Sequence, residues 1–423
     1  MLIGPAPRAL DTLDFGALLR PGDGLVCGQL TSEPVALCER LYAAPDLPAG
    51  IVAFIGANLS GSMLQARNLR FTSYGAMFRS AELARSDALE VLQVHYSDLC
   101  AAVTDGRIPA DVVLMQAARD ARSGALYVGA AHGYMVAAAR HARTVIVEVN
   151  ANAPVIPGGE LPADLPIHIL IESDAPLAAL AAGVPTAEES RIAGFVAGLV
   201  VDGATVQIGI GALPRALLNA LDGHRDLGLH SGILTDEVMR LMRRGVINNR
   251  RKSIDAGISV TGALIGSAAL YGFACDAAVR LAPPTYTHAH ELVRRFDRFT
   301  ALNSALEVDL AGQANAERMQ GRALGGIGGL LDFARGAIAS QGGRSVIALP
   351  STARGGAVSR IVARLSGPAT LGVADAGAVV TEWGVARLRG ESPAERARQM
   401  IAIADPRHRA ALGDAARAAG LAG

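Results

Sequence analysis

Apolar residues along this chain fall in short β-rich runs separated by stretches of three-to-four-residue apolar spacing. The runs Gly50–Ile55, Val112–Leu114, Thr144–Glu148, Thr205–Gly209, Phe299–Asn303 and Ser345–Leu349 predict strands. Glu188–Val200 and Pro214–Leu221 carry the period of amphipathic helices. Strand–helix alternation over this length predicts parallel sheets with helices on both faces, an α/β architecture. The proline-rich segment Ala153–Thr186 reads as a connection, with a helix opening near Ala187–Glu189. It places a boundary near residue 186, giving domains 1–186 and 187–423.

Composition narrows the class. A chain of 423 residues is long enough for two or three domains. Hydrophobic residues make up 51%, aromatics only 4%, and glycine occurs 48 times, a mixture that suits buried parallel strands joined by tight turns. Lys plus Arg and Asp plus Glu balance at 39 each, so no net field favours nucleic acid or an anionic membrane. Cys27, Cys38, Cys100 and Cys275 form no CxxC pair, which indicates neither a zinc cluster nor a disulfide framework. No metal site is expected. Met1–Pro21 carries Asp11 and Asp14 without a basic region and apolar core, and no apolar run reaches membrane-spanning length. The chain reads as cytoplasmic and soluble, with no membrane partner.

Three segments could carry chemistry. Gln207-Ile-Gly-Ile-Gly-Ala-Leu-Pro214 follows a strand and opens a helix, so Gly209 and Gly211 would bring backbone N–H groups to an anion or oxyanion. It is not the GxGxxG fingerprint, because Pro214 stands where the third glycine would be. In Asn303–Gln313, Glu307 and Asp309 fall on one side of a strand, where they could do acid–base work or anchor a loop. The glycine-rich stretch Gly312–Gly343 contains Gly325-Gly-Ile-Gly-Gly329, whose backbone at Gly328 and Gly329 could face a thioester oxygen or simply turn tightly. Arg335, Arg344, Arg354 and Arg360 are candidates for holding phosphates, against the ordinary role of solvated surface arginines.

With those segments in place, the chain resembles the family of acetyl-CoA hydrolases, 4-hydroxybutyrate CoA-transferases and butyryl-CoA:acetate CoA-transferases. The resemblance is carried by Gln207–Pro214, Arg244–Ser253, Asn303–Gln313, Asp332–Ala337, Ser345–Thr352 and Val379–Gly390, and more loosely by Val147–Pro154. It implies two related open α/β domains with the active site between them. It also implies coenzyme A thioesters and small carboxylates as substrates, and a homodimer or homotetramer.

Family transferases use a glutamate in a motif close to Gly-Ile-His-Thr-Glu-Met. Here the segment reads Gly228-Leu-His-Ser-Gly-Ile233, so Gly232 stands at the glutamate position. Where the family often has an asparagine near the thioester this chain has His288 and Ala289, and Leu330 replaces a frequent glutamine. A base could then be His230, Asp236, Glu237 or Glu307, although His230 equally serves as a structural histidine. Ser231 is one place off the Gly-x-Ser-x-Gly elbow. The resulting expectation is a CoA-transferase or acyl-CoA hydrolase with an altered mechanism. The alternatives are a catalytically weak CoA-ester-binding relative, or another reaction on CoA esters.

Overall fold

The computed structural model describes residues 4–66, 68–86, 88–180 and 183–421. They form two units. The first takes the chain up to residue 180 together with 260–287, and the second takes 181–259 and 288 onward. Membership of 260–287 in the first unit is an excursion absent from the single linear boundary expected near residue 186.

In the first unit the strands are β1 (Gly24–Cys27), β2 (Ile51–Phe54), β3 (Leu69–Ser73), β4 (Leu89–Val91), β5 (Val112–Arg119), β6 (Leu126–Tyr127), β7 (Thr144–Asn150) and β8 (Ile169–Ser173). They lie in the order β4–β3–β2–β1–β5–β7–β8, with β6 antiparallel to β5 and every other pair parallel. The central strand β5 is buried at every position from Val112 to Ala118, as a strand covered by helices on both faces must be. Phe15, Leu37 and Leu41 share a core cluster with Leu25, Ile51 and Leu114 of this sheet. β8 corrects the reading of Ala153–Thr186 as a bare connection. Its Ile169-Leu-Ile run is buried at the sheet edge, where prolines on either side interrupt no ladder.

The second unit contributes β9 (Thr205–Ile208) and β10 (Gly228–Thr235). β11 (Ser259–Ile265) and β12 (Val279–Leu281) follow in the excursion, and β13 (Thr300–Asn303) and β14 (Glu307–Asp309) return to the second unit. Its sheet runs β10–β9–β13, then the strands Arg344–Ala348, Ala378–Thr381 and Gly384–Arg387. All pairs are parallel except the last. Strand order reverses between β1 and β5 in the first sheet and between β9 and β13 in the second. Doubly wound sheets bind ligands at such reversals, outside the carboxyl ends of the strands. No helix among the described residues is long and apolar enough to cross a membrane.

The helix Ala187–Ala197 opens where the sequence places it, for a local reason. Thr186 accepts from the Glu189 backbone N–H at 3.1 Å, while the Glu189 carboxylate accepts from the Thr186 N–H at 2.8 Å, a closed capping box. Thr186→Ala is expected to lower stability by about 1 kcal/mol, read as a shift of the urea midpoint at unchanged slope.

Candidate active site

At the reversal of the second sheet, Gln207 and Asn303 face each other from the ends of β9 and β13. Each amide donates to the other, at 3.3 and 3.2 Å. β9 then runs into Gly209-Ile-Gly211 and the helix Ala212–Ala220. Gly211 has φ +119°, a conformation that favours glycine, and it turns the chain so that the helix N-terminus follows directly on the strand. The first-turn N–H groups of this helix have no intrahelical partner and suit an anion.

β10 lies beside β9, and Ser231 fastens the two. Its hydroxyl donates to the Ile208 carbonyl at 3.0 Å and accepts from the Ile208 N–H at 3.3 Å. Ser231 is fully buried in this role, as is its neighbour His230. His230 packs against Phe296 with ring centroids 4.8 Å apart and belongs to an aromatic column. Phe296 stacks on Phe299 at 5.7 Å, Phe299 on Phe333 at 6.2 Å, and Phe333 meets His288 at 4.5 Å. Two histidines thus close the ends of a row of three phenylalanines. The buried environment suits a structural histidine at 230.

His288 is where the sequence-singled residues converge. A Cβ added to Gly232 would stand 3.1 Å from His288 Cε1 and 3.2 Å from Nε2. One added to Gly329 would stand 2.5 Å from the same Nε2. Both glycines therefore leave room for one imidazole. Burial, with a smaller contribution from the charge His230 would carry, lowers the His288 pKa to about 3. The ring is neutral at physiological pH and a weak proton acceptor. Gly328, beside it, has φ +51° and open space where a Cβ would go. The later part of the stretch expected to be a glycine loop is in fact the helix Leu330–Ala339, held by Leu330, Phe333, Ala334 and Ala337 on its buried face.

The remaining candidates are engaged otherwise. Glu307 on β14 is buried, and its Oε1 accepts from Asn315 Nδ2 at 2.9 Å and from the Ser366 N–H and hydroxyl at 2.7 and 2.8 Å. Asp309 on the same strand accepts from the backbone of Ala311 and Gln313. This is the loop-anchoring arrangement. Glu307→Gln is expected to cost about 1–2 kcal/mol in thermal or urea unfolding, because a neutral amide oxygen accepts from Asn315 and Ser366 more weakly than the carboxylate does. Loss of all turnover in a folded Glu307→Gln protein would instead give this carboxylate a part in the chemistry. Arg335 pairs with Asp375 at 3.2 Å on the surface, and Arg354 lies in an exposed turn at φ +52°.

The first sheet holds a buried carboxylate for which the sequence offers no motif. Glu33, just beyond β1, accepts from Asn58 Nδ2 at 3.0 Å, from the Ser60 N–H and hydroxyl, and from the Leu59 N–H. Burial outweighs these donors and raises its pKa to about 7. Gln29 precedes it in the loop, donating to the Tyr96 hydroxyl at 2.7 Å and accepting from the Tyr74 hydroxyl at 2.9 Å.

Comparisons with known proteins agree on one relationship. Residues 266–416 match the acetyl-CoA hydrolase/transferase C-terminal domain. The chain is 33% identical over 395 residues to the 4-hydroxybutyrate coenzyme A transferase of Clostridium kluyveri, covering 92% of each chain. It is 33% identical over 311 residues to the butyryl-CoA:acetate CoA-transferase of Anaerostipes caccae, covering 70% of this chain and 69% of that one. Among solved structures it superimposes on RipA from Yersinia pestis with a TM-score of 0.89, at 30% identity and 95% coverage of both.

Proposed function

Because the chain belongs to the acetyl-CoA hydrolase/CoA-transferase family, we propose that it transfers coenzyme A between an acyl-CoA and a small carboxylate, without an acyl-enzyme at residue 232. The observation that carries this reading is the packing of His288 against Gly232. The space next to that backbone is filled by a neutral imidazole rather than by a carboxylate. Ser231, beside Gly232, and Glu307, a candidate base, are tied into the strand ends and a loop.

The step then falls to the acceptor itself. Its carboxylate oxygen adds to the thioester carbonyl carbon, and the C–S bond breaks to release CoA thiolate and leave a mixed anhydride. The thiolate adds to the acceptor's carbonyl carbon, the C–O bond breaks, and the donor acid leaves as its carboxylate. Backbone N–H groups along Gly328–Gly329 and neutral His288 offer fixed dipoles in which developing oxyanion charge is stabilised better than in water. The Gly209–Gly211 turn and its helix N-terminus suit an anionic part of the substrate.

A direct transfer requires both substrates bound together, whereas an acyl-enzyme gives ping-pong kinetics. Initial rates with acyl-CoA and acceptor both varied are expected to give intersecting double-reciprocal lines, with no thiol released when the acceptor is omitted. Parallel lines would restore a covalent enzyme intermediate. Thiol release without acceptor would make the protein a hydrolase, and binding without turnover a CoA-ester binder.

A further inference from the structure

The second sheet has a cavity at the edge opposite to Gly209 and Gly232. The amino ends of the strands Arg344–Ala348 and Ala378–Thr381, and the last residue of the antiparallel strand Gly384–Arg387, open onto a space of 480 Å³. That volume is within the range of small-molecule sites, roughly 300–1,000 Å³. Arg344, Arg387 and Arg389 line it, and Glu391 is the one carboxylate among the lining residues. Several other arginines of this unit have carboxylate partners: Arg240 and Arg244 share Asp222, Arg398 meets Glu395, and Arg335 meets Asp375. Among the described residues, none of the three cavity guanidiniums makes an ion pair or a side-chain hydrogen bond.

A second observation is independent of charge. Ser345 lines the same cavity, its side chain is buried, and its Oγ has no hydrogen-bond partner. A buried hydroxyl left unpaired is unfavourable, and a ligand oxygen within its reach would satisfy it. Gly342 and Gly343 form part of the wall without side chains, so a ligand can approach the backbone.

We propose that this cavity binds a small molecule bearing two or more oxyanion groups, phosphate or carboxylate, held between the arginine forks and the Ser345 hydroxyl. Guanidinium matches both oxyanions in bidentate geometry, and three guanidiniums against one carboxylate leave an excess of two positive charges for the ligand to neutralise. The site is separate from the acyl-CoA chemistry, because it opens at the amino edge of a parallel sheet whose reaction groups lie at the carboxyl edge. Its occupant is an effector rather than a substrate.

Titration calorimetry on the whole protein at low ionic strength, with inorganic pyrophosphate and with citrate as probes, tests this. Saturable one-to-one binding of at least one probe is expected, and the tighter probe names the oxyanion class. Binding should weaken at least tenfold in Arg387→Ala/Arg389→Ala and in Arg344→Ala, and severalfold in Ser345→Ala. Arg387 and Arg389 are exposed, so the double variant should keep the wild-type circular dichroism spectrum. No saturable heat at millimolar probe would overturn the proposal. So would equal affinity in wild type and variants, which would mark an adventitious ion elsewhere. Kinetic order is read in a different assay, so failure of either idea leaves the other standing.

Discussion

Turnover of acyl-CoA by a Gly329→Ala variant is expected to fall about 100-fold, with stability lower by about 1–3 kcal/mol. Gly329 has φ −97° and ψ 8°, which alanine adopts without strain, so the backbone is not the cause. The added methyl would lie 2.5 Å from His288 Nε2 and 3.3 Å from Phe333 Cε2. His288 has little room to retreat, since Phe333 packs on its ring and Gly232 lies against its edge. A ring displaced by about an ångström is enough to spoil a positioned hydrogen bond.

Gly328→Ala is the matched control. Its φ of +51° costs alanine about 1–2 kcal/mol, but the methyl meets open space, so turnover should stay within a few-fold of wild type. Adding His288→Ala to Gly329→Ala should recover stability, with a coupling of about 1–2 kcal/mol in the double-mutant cycle. A Gly329→Ala enzyme as stable and active as wild type would show that His288 is not confined.

The second large effect depends on pH. The Glu33 carboxyl has an ordinary value of 4.5 and is raised to about 7 in the folded chain. Between those values the folded state holds a proton that the unfolded state has lost. Stability is therefore fully present below about pH 4.5 and declines as pH rises through 7, by roughly 3 kcal/mol. His288 works in the opposite sense. Its folded value is about 3 against 6.5, so the unfolded state takes the proton first and stability falls as pH drops below 6.5.

In the wild type the two slopes oppose each other between pH 4.5 and 6.5. Glu33→Gln removes one of them. The variant should carry a pH-independent loss of about 1–2 kcal/mol from mismatched donors at Leu59 and Ser60. Its stability should then rise with pH across that window, where the wild type stays nearly level. Urea midpoints at pH 4.5, 6 and 7.5 decide the matter, and parallel curves for the two proteins would rule out a titrating Glu33.

The parts of this fold that could be read from sequence are those governed by local rules. Val112–Leu114 and Val145–Val147 are apolar runs buried at each of their positions, and Thr186 with Glu189 states a helix start in four residues. β8 escaped because prolines around it signal a loop, while its burial depends on pairing with β7, a contact the local sequence does not encode. The site was legible at the glycines, since Gly211, Gly232 and Gly329 each leave space for something nearby. What fills the space was not. The neutral state of His288 arises from burial, and Phe333, which packs on its ring, stands 45 positions later in the chain; the raised pKa of Glu33 arises from burial that outweighs the donors of the loop after the next strand. The Gln207–Asn303 amide pair lay inside two of the matching segments, but only strand order sets those side chains opposite each other.

The excursion 260–287 bears on how the chain is made. Thr31 donates its hydroxyl proton to the Leu264 carbonyl, Leu264 N–H reaches Ala130, His132 N–H reaches Gly262, and Leu281 N–H reaches Pro157. The first unit therefore lacks these partners while only its first 180 residues have been synthesised. At about 5–20 residues per second, the ribosome needs roughly 5–20 s more to deliver residue 287. Through that interval the Ala130 and Pro157 carbonyls and the His132 N–H lack these partners while residues 181–259 of the second unit are being added. A chaperone that guards nascent chains would meet this protein with both halves begun and neither finished.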